Sequence, residues 1–205
     1  MCSAPITGRG GKLSIISVVE GAALIACALL RQNKTATLIG FDSEQYPSHD
    51  IYSTRLIPGV YSMDHLNPFD SIMTNVAKVN QNGGGTDCSL PFKWLNQAGR
   101  NFQNIVVLSD YESWSGSHRY SRGCAATAEW KRYSQRHITQ LACVDLQPQN
   151  TTQVPDQPGH VINVGGWNDQ MFRVLERFFN QDKRVIFTDI ISEVELRPDG
   201  VSREG

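Results

Sequence analysis

Residues 104–109 read NIVVLS, four large apolar side chains in a row with no polar residue alternating between them. A strand of that kind has no face to offer water, so protein must cover it on both sides. Residues 35–41 (TATLIGF) carry the same signature. Runs like these belong to sheets with helices packed on both faces, and the rest of the chain supplies helices. Helical spacing or helix-forming composition marks residues 14–31, 70–80, 89–99, 124–136 and 168–180, with Ser14 to open the first, Pro91 in the first turn of the third and Asn168 as cap of the last. A weaker strand falls at 51–57, closed by Pro58-Gly59, and two short strands fall at 139–144 and 160–164. Residues 1–12 read as a polar loop, and 185–196 as an apolar segment of no clear type. Strands alternating with helices predict an α/β fold, an open, mostly parallel sheet with helices on both faces.

The apolar stretch 13–30 (LSIISVVEGAALIACALL) follows Arg9 and Lys12 and invites comparison with a membrane anchor. Glu20 stands inside it, where a carboxylate costs about 2.5–3.5 kcal/mol in a bilayer. A buried helix of a globular domain accounts for the stretch better, so no membrane role is expected. With 19 Lys+Arg against 20 Asp+Glu, the chain lacks the global positive field of a protein that binds nucleic acid through net charge. The five Cys include no CxxC pair and no His at zinc spacing, which points to ordinary thiols in a reducing compartment, taken as the cytoplasm.

In doubly covered parallel sheets, ligands bind at the carboxyl ends of the strands, so loops leaving those ends are where chemistry is expected. Two stand out. Gly83-Gly84-Gly85-Thr86-Asp87 runs into a helix, where glycines permit close backbone approach. No Lys-Ser or Lys-Thr follows the last glycine, so it is not a P-loop. A hydroxyl beside a carboxylate suits a hard cation, although Thr86 or Asp87 could equally cap the helix. The second loop, Ser109-Asp110-Tyr111-Glu112-Ser113-Trp114, leaves the apolar run 104–109 and puts a carboxylate at its end. Beyond it, Tyr111, Trp114, His118, Arg119, Tyr120 and Arg122 mix aromatic and basic side chains, a pattern able to stack single-stranded RNA.

Together, GGGTDCSLPFKWL (83–95) and NIVVLSDYESWSG (104–116) resemble the von Willebrand factor A domain of the Ro (TROVE) ribonucleoprotein family. The order of elements agrees from the first helix to the helix at 168–180. The resemblance implies a metal-ion-dependent adhesion site holding one Mg²⁺ or Mn²⁺, with Thr86 and Asp110 as ligands. Tyr111, Glu112, Trp114 and Arg119, in the loop beside it, are candidate contacts to RNA or a partner. Asp87, Ser109 and Glu112 lie near the site without being assigned as ligands. The A-type domain is expected over residues 1–182, with 183–205 as an extension.

One departure matters. The family's first central strand and the D-x-S-x-S motif at its end occur nowhere in the 205 residues. Half of a split protein, a fragment, or a degenerate domain would each account for this; the first two are favoured because a missing central strand leaves backbone groups unpaired in the core. Metal held by Thr86 and Asp110 alone is expected to be weak. The resemblance implies a non-catalytic module for noncoding Y-type RNA and RNA quality control. Its RNA-binding ring, and the missing strand, would come from other polypeptide. A stand-alone A domain that scaffolds a protein complex through a divalent metal, or a phosphate-handling enzyme using residues 83–86, are the alternatives.

Overall fold

The structure, a computed structural model, describes residues 5–7, 13–43, 53–79, 86–110, 124–148, 152–166, 168 and 170–180. In chain order the elements are β1 (Pro5–Thr7), β2 (Leu13–Ser17), α1 (Val18–Gln32), β3 (Ile39–Phe41), β4 (Thr54–Ile57), β5 (Val60–Ser62), α2 (Ile72–Val76), α3 (Leu90–Ala98), β6 (Asn104–Ser109), α4 (Cys124–Ser134), β7 (Gln140–Asp145), β8 (Val161–Gly165) and α5 (Gln170–Asn180). The strands β6, β7 and β8 pair in parallel and in that order. A second sheet, β3-β5-β4, is antiparallel, and β1 and β2 form a two-stranded antiparallel pair.

Alternation along β7 builds the layers. Successive strand residues point to opposite faces. Leu141 and Cys143 join a core with Leu90, Phe92 and Trp94 of α3 and Trp130 and Tyr133 of α4. Ala142 and Val144 join another, with Val18, Ala22 and Ile25 of α1 and Met171, Leu175 and Phe178 of α5. Helices therefore cover both faces, as the unbroken apolar runs require. A third cluster packs the far side of α1, through Ala23, Cys27 and Leu30, against Leu66 and Val76.

Local signals set several boundaries. Pro91 lies in the first turn of α3, and Gly99 ends that helix in the left-handed conformation at φ 63°. Asn168 Oδ1 accepts from Met171 N at 3.2 Å, as expected of the cap of α5.

Other expectations need correction. The helix expected over 14–31 begins only at Val18, and Leu13–Ser17 is strand. Ser17, not Ser14, opens the helix through a capping box: Glu20 N donates to Ser17 Oγ at 3.3 Å, and Ser17 N donates to the Glu20 carboxylate at 2.8 Å. Glu20, the objection to a membrane span, thus fixes the helix start, and no helix among the described residues is long and apolar enough to cross a membrane. The helix expected over 70–80 shrinks to Ile72–Val76, and the strand expected over 35–41 to Ile39–Phe41. Two strands of three residues, β1 and β5, are too short to leave a periodicity.

The most instructive difference concerns β6. The sequence reads as the most deeply buried strand, yet Asn104 is exposed and Ile105, Val106 and Leu108 are only half-buried, whereas β7 is buried throughout. β7 lies between two strands; among the described strands, β6 is paired on one side only.

Tyr133 ties α4 to the turn that leads into β6. Its fully buried side chain donates from the hydroxyl to Arg100 O at 2.8 Å and accepts from Phe102 N at 3.0 Å. Tyr133→Phe keeps the ring and strands both backbone groups, so unfolding in urea should show a loss of about 1–3 kcal/mol. Wild-type stability in that variant would mean that the two bonds contribute nothing net.

Candidate functional site

Carboxylates gather where strands end. Asp42 follows β3, Asp110 follows β6 and Asp145 closes β7; they are 6%, 4% and 3% exposed. Hydroxyls accompany them: Ser43, Thr86 and Ser109 are all buried. Buried carboxylates are costly unless something compensates their charge, so strand ends furnished in this way are candidates for a cation.

Contacts of the Thr86–Ser89 segment bring two of these ends to one place. Asp87 N donates to Asp42 O at 2.7 Å, which fastens the segment to the end of β3. One residue on, Cys88 Sγ lies 3.8 Å from Ser109 Oγ, at the end of β6. Thr86 and Asp110 each adjoin one of these contacts, so the structure brings together the two loops singled out from sequence. Asp87 serves the helix: its Oδ1 accepts from Ser89 N at 2.9 Å and from Ser89 Oγ at 2.7 Å. The helix-start reading of this loop therefore holds for Asp87 and leaves the Thr86 hydroxyl to other partners.

The expected contact residues Tyr111, Glu112, Trp114 and Arg119 lie outside the described residues, as do Gly83, Gly84, Gly85 and the segment 183–205. Sequence reasoning passed over Asp42 and Asp145. The available signal was slight, a single Asp closing an apolar run (LIGFD, LACVD). Asp145 has a local task, since its Oδ1 accepts from Gln147 N at 3.0 Å and turns the chain out of β7.

Thr86 and Asp110 offer one neutral and one anionic hard oxygen. The type fits Mg²⁺ or Mn²⁺; the number falls short of the six oxygens such an ion requires. Among the described residues, no group of three or more His, Cys, Asp or Glu could hold a metal. Cys88, between the two loops, is no soft ligand in waiting. Burial pushes its thiol up from 9.0 to about 12, with Asp110 and Asp87 adding to the rise and the Ser109 hydrogen bond opposing it. Gln153 Nε2 also donates to its sulfur at 3.0 Å.

A family profile described as Ro60 vWA domain matches residues 3–179. Among solved structures, the crystal structure of Deinococcus radiodurans RO (RSR) protein superposes with a TM-score of 0.60 at 20% identity, over 87% of this chain and 31% of that one. At that identity the likeness speaks for the fold, and this chain spans under a third of the Deinococcus protein. No curated protein gave a significant match.

The Cys88 shift has a sign that can be tested. The folded state keeps the thiol proton up to about pH 12, whereas the unfolded chain loses it near the ordinary 9.0. Its contribution to stability is complete below pH 9 and is lost as pH rises from there, by at most about 1.4 kcal/mol per unit. The stability difference between wild type and Cys88→Ala should be flat below pH 9 and shrink above it. Native protein at pH 8 should also leave Cys88 unlabelled by iodoacetamide; rapid labelling there would contradict the assignment.

Proposed function

This chain belongs to the Ro60 vWA domain family, and from that premise we propose that it is the non-catalytic binding module of a Ro-type ribonucleoprotein engaged with small noncoding RNA, such as Y-type RNA, in RNA quality control. The RNA itself is held by a ring of helical repeats on other polypeptide, which also supplies the central strand and the D-x-S-x-S motif. The A-type domain contributes a cation site at the strand ends and, beside it, Tyr111, Glu112, Trp114 and Arg119 as contacts for RNA or a partner. The cytoplasm is the compartment that goes with this role.

The observation that carries this reading is the convergence of the Thr86 loop and the Asp110 strand end on Cys88 and Ser109. A hydroxyl from the Thr86 loop and a carboxylate at the end of β6 bind a divalent ion and leave it short of negative charge, so the ion seeks an acidic group on a partner. Bound there, Mg²⁺ or Mn²⁺ supplies a positive charge for such a group. Cys88 itself is a poor nucleophile, because burial keeps its thiol protonated far above neutral pH. A stand-alone A domain that scaffolds a protein complex through the same ion would use the same residues.

Two measurements test the proposal. The chain alone should bind Mn²⁺ weakly by paramagnetic resonance. Asp110→Asn or Thr86→Ala should lower that affinity by about tenfold or more, the loss found even for outer-shell partners of metal ligands. Equal affinity in all three proteins would rule out the site. Partners captured by the chain should be released by ribonuclease if the module works within a ribonucleoprotein; retention of all of them would favour the scaffold.

A further inference from the structure

Helices α3 and α4 pack side by side on the face of the sheet that α5 does not cover. The stretches 88–104 and 124–141, which form this layer, hold five Lys+Arg and one carboxylate, Glu129, in a chain whose totals are 19 and 20. The seam between the two helices sorts these charges by depth. Asn96 Nδ2 donates to Glu129 Oε2 at 2.7 Å and draws the carboxylate inward, while Arg132 Nη1 donates to the same oxygen at 3.2 Å. The Glu129 side chain is 16% exposed and that of Arg132 is 64% exposed. Arg136 Nη2 donates to Asn96 Oδ1 and Arg136 Nε to Arg132 O at 3.2 Å, yet Arg136 stays exposed. Arg100, also exposed, is held beside α4 by the Tyr133 hydroxyl on its carbonyl. Three guanidinium groups therefore stand outside one sheltered carboxylate. Ile138, in the turn after α4, is 72% exposed. Guanidinium forks suit carboxylates, so the seam fits an acidic segment that also brings apolar side chains.

The last turn of α5 delivers the chain to this end of the sheet. Gln140 Nε2 donates to Phe178 O at 3.0 Å, which pins α5 to the start of β7. The neighbouring Thr139 Oγ1 donates to Phe102 O at 2.7 Å, and Phe102 N donates to the Tyr133 hydroxyl beside Arg100. From Asn180 to the seam is a passage round the sheet of about 20 Å, two packed layers of about 10 Å each. Residues 181–188 reach about 26 Å when extended. The stretch that follows, 189–196 (DIISEVEL), carries Asp189, Glu193 and Glu195 with no Lys or Arg, interspersed with Ile190, Ile191, Val194 and Leu196. No other stretch outside the described residues holds three carboxylates uninterrupted by a Lys or Arg.

We infer that residues 189–196 dock along the α3–α4 seam, their carboxylates on Arg100, Arg132 and Arg136 and their apolar side chains over Ile138. A single exposed ion pair contributes little, but three that converge on one short segment, next to an apolar contact, reinforce one another. The docked segment closes a cationic surface at the end of the strands opposite Thr86 and Asp110. The inference does not draw on the proposed function.

Amide hydrogen exchange read by mass spectrometry tests it on the full chain. Amides of 189–196 should exchange about tenfold or more slowly than in a free peptide of the same sequence. The protection should fall in about 1 M salt, where charges are screened beyond about 3 Å. Arg100→Glu combined with Arg132→Glu should abolish it, as should Glu193→Arg combined with Glu195→Arg, and all four substitutions together should restore it. Circular dichroism checks that each variant keeps its helices. Should the Arg132→Glu protein misfold, Arg100→Gln with Arg132→Gln replaces it and should lower the protection in the same direction. Free-peptide rates in the wild type would overturn the docking, and so would protection that survives the changes at Arg100 and Arg132. Protection that grows with protein concentration would overturn it in favour of contact between two copies.

Discussion

Backbone hydrogen bonding along the edge of β6 governs this molecule. A buried N–H or C=O without a partner costs about 1–3 kcal/mol, and Asn104, Val106 and Leu108 each turn such a pair of groups away from β7. Ile39 and Phe41 do the same from the facing edge. With helices α1 and α3 roofing the space between, burying these edges dry would set several such costs against the apolar contacts of the roof. Between the two edges lies a slot of about 200 Å³, walled by Ala22 and Ala26 of α1 and Trp94 and Leu95 of α3. The partial exposure of Ile105, Val106 and Leu108 follows from this arrangement.

How far the fold could be read in the sequence depended on whether a signal was local. Pro91 and Gly99 bracket α3, and Asn168 caps α5; each acts through its own backbone or one neighbour and was legible. The boundary between β2 and α1 was not, because residues 13–30 are apolar throughout and a strand there borders a helix without a break in composition. β1 and β5, at three residues each, carry too little pattern to detect. The burial of β6 was misjudged for a different reason. Composition records what a strand is suited to contact, whereas exposure records which neighbours are present.

The site divides in the same way. That the loops carrying Thr86 and Asp110 meet was legible, because the two motifs around them are distinctive in combination and loops leaving strand ends lie together in such folds. Asp42 was not, because a single aspartate after an apolar run reads as an ordinary strand end; only the Asp87 N to Asp42 O bond shows that it sits against the same loop. Cys88 stands inside the motif GGGTDCSLPFKWL, but no chemistry was read for it from sequence. Its place between the two loops, with Ser109 on one side and Gln153 on the other, makes it the packed floor of the site.

The join between β2 and α1 has a mechanical side. Strand ends at Ser17, helix begins at Val18, and the reciprocal Ser17–Glu20 bonds lock the junction, so no hinge residue separates them. Ala22 and Ala26 form a wall of the slot on one side of α1 while Cys27 and Leu30 pack against Leu66 and Val76 on another, so this one helix serves two separate packing surfaces at once.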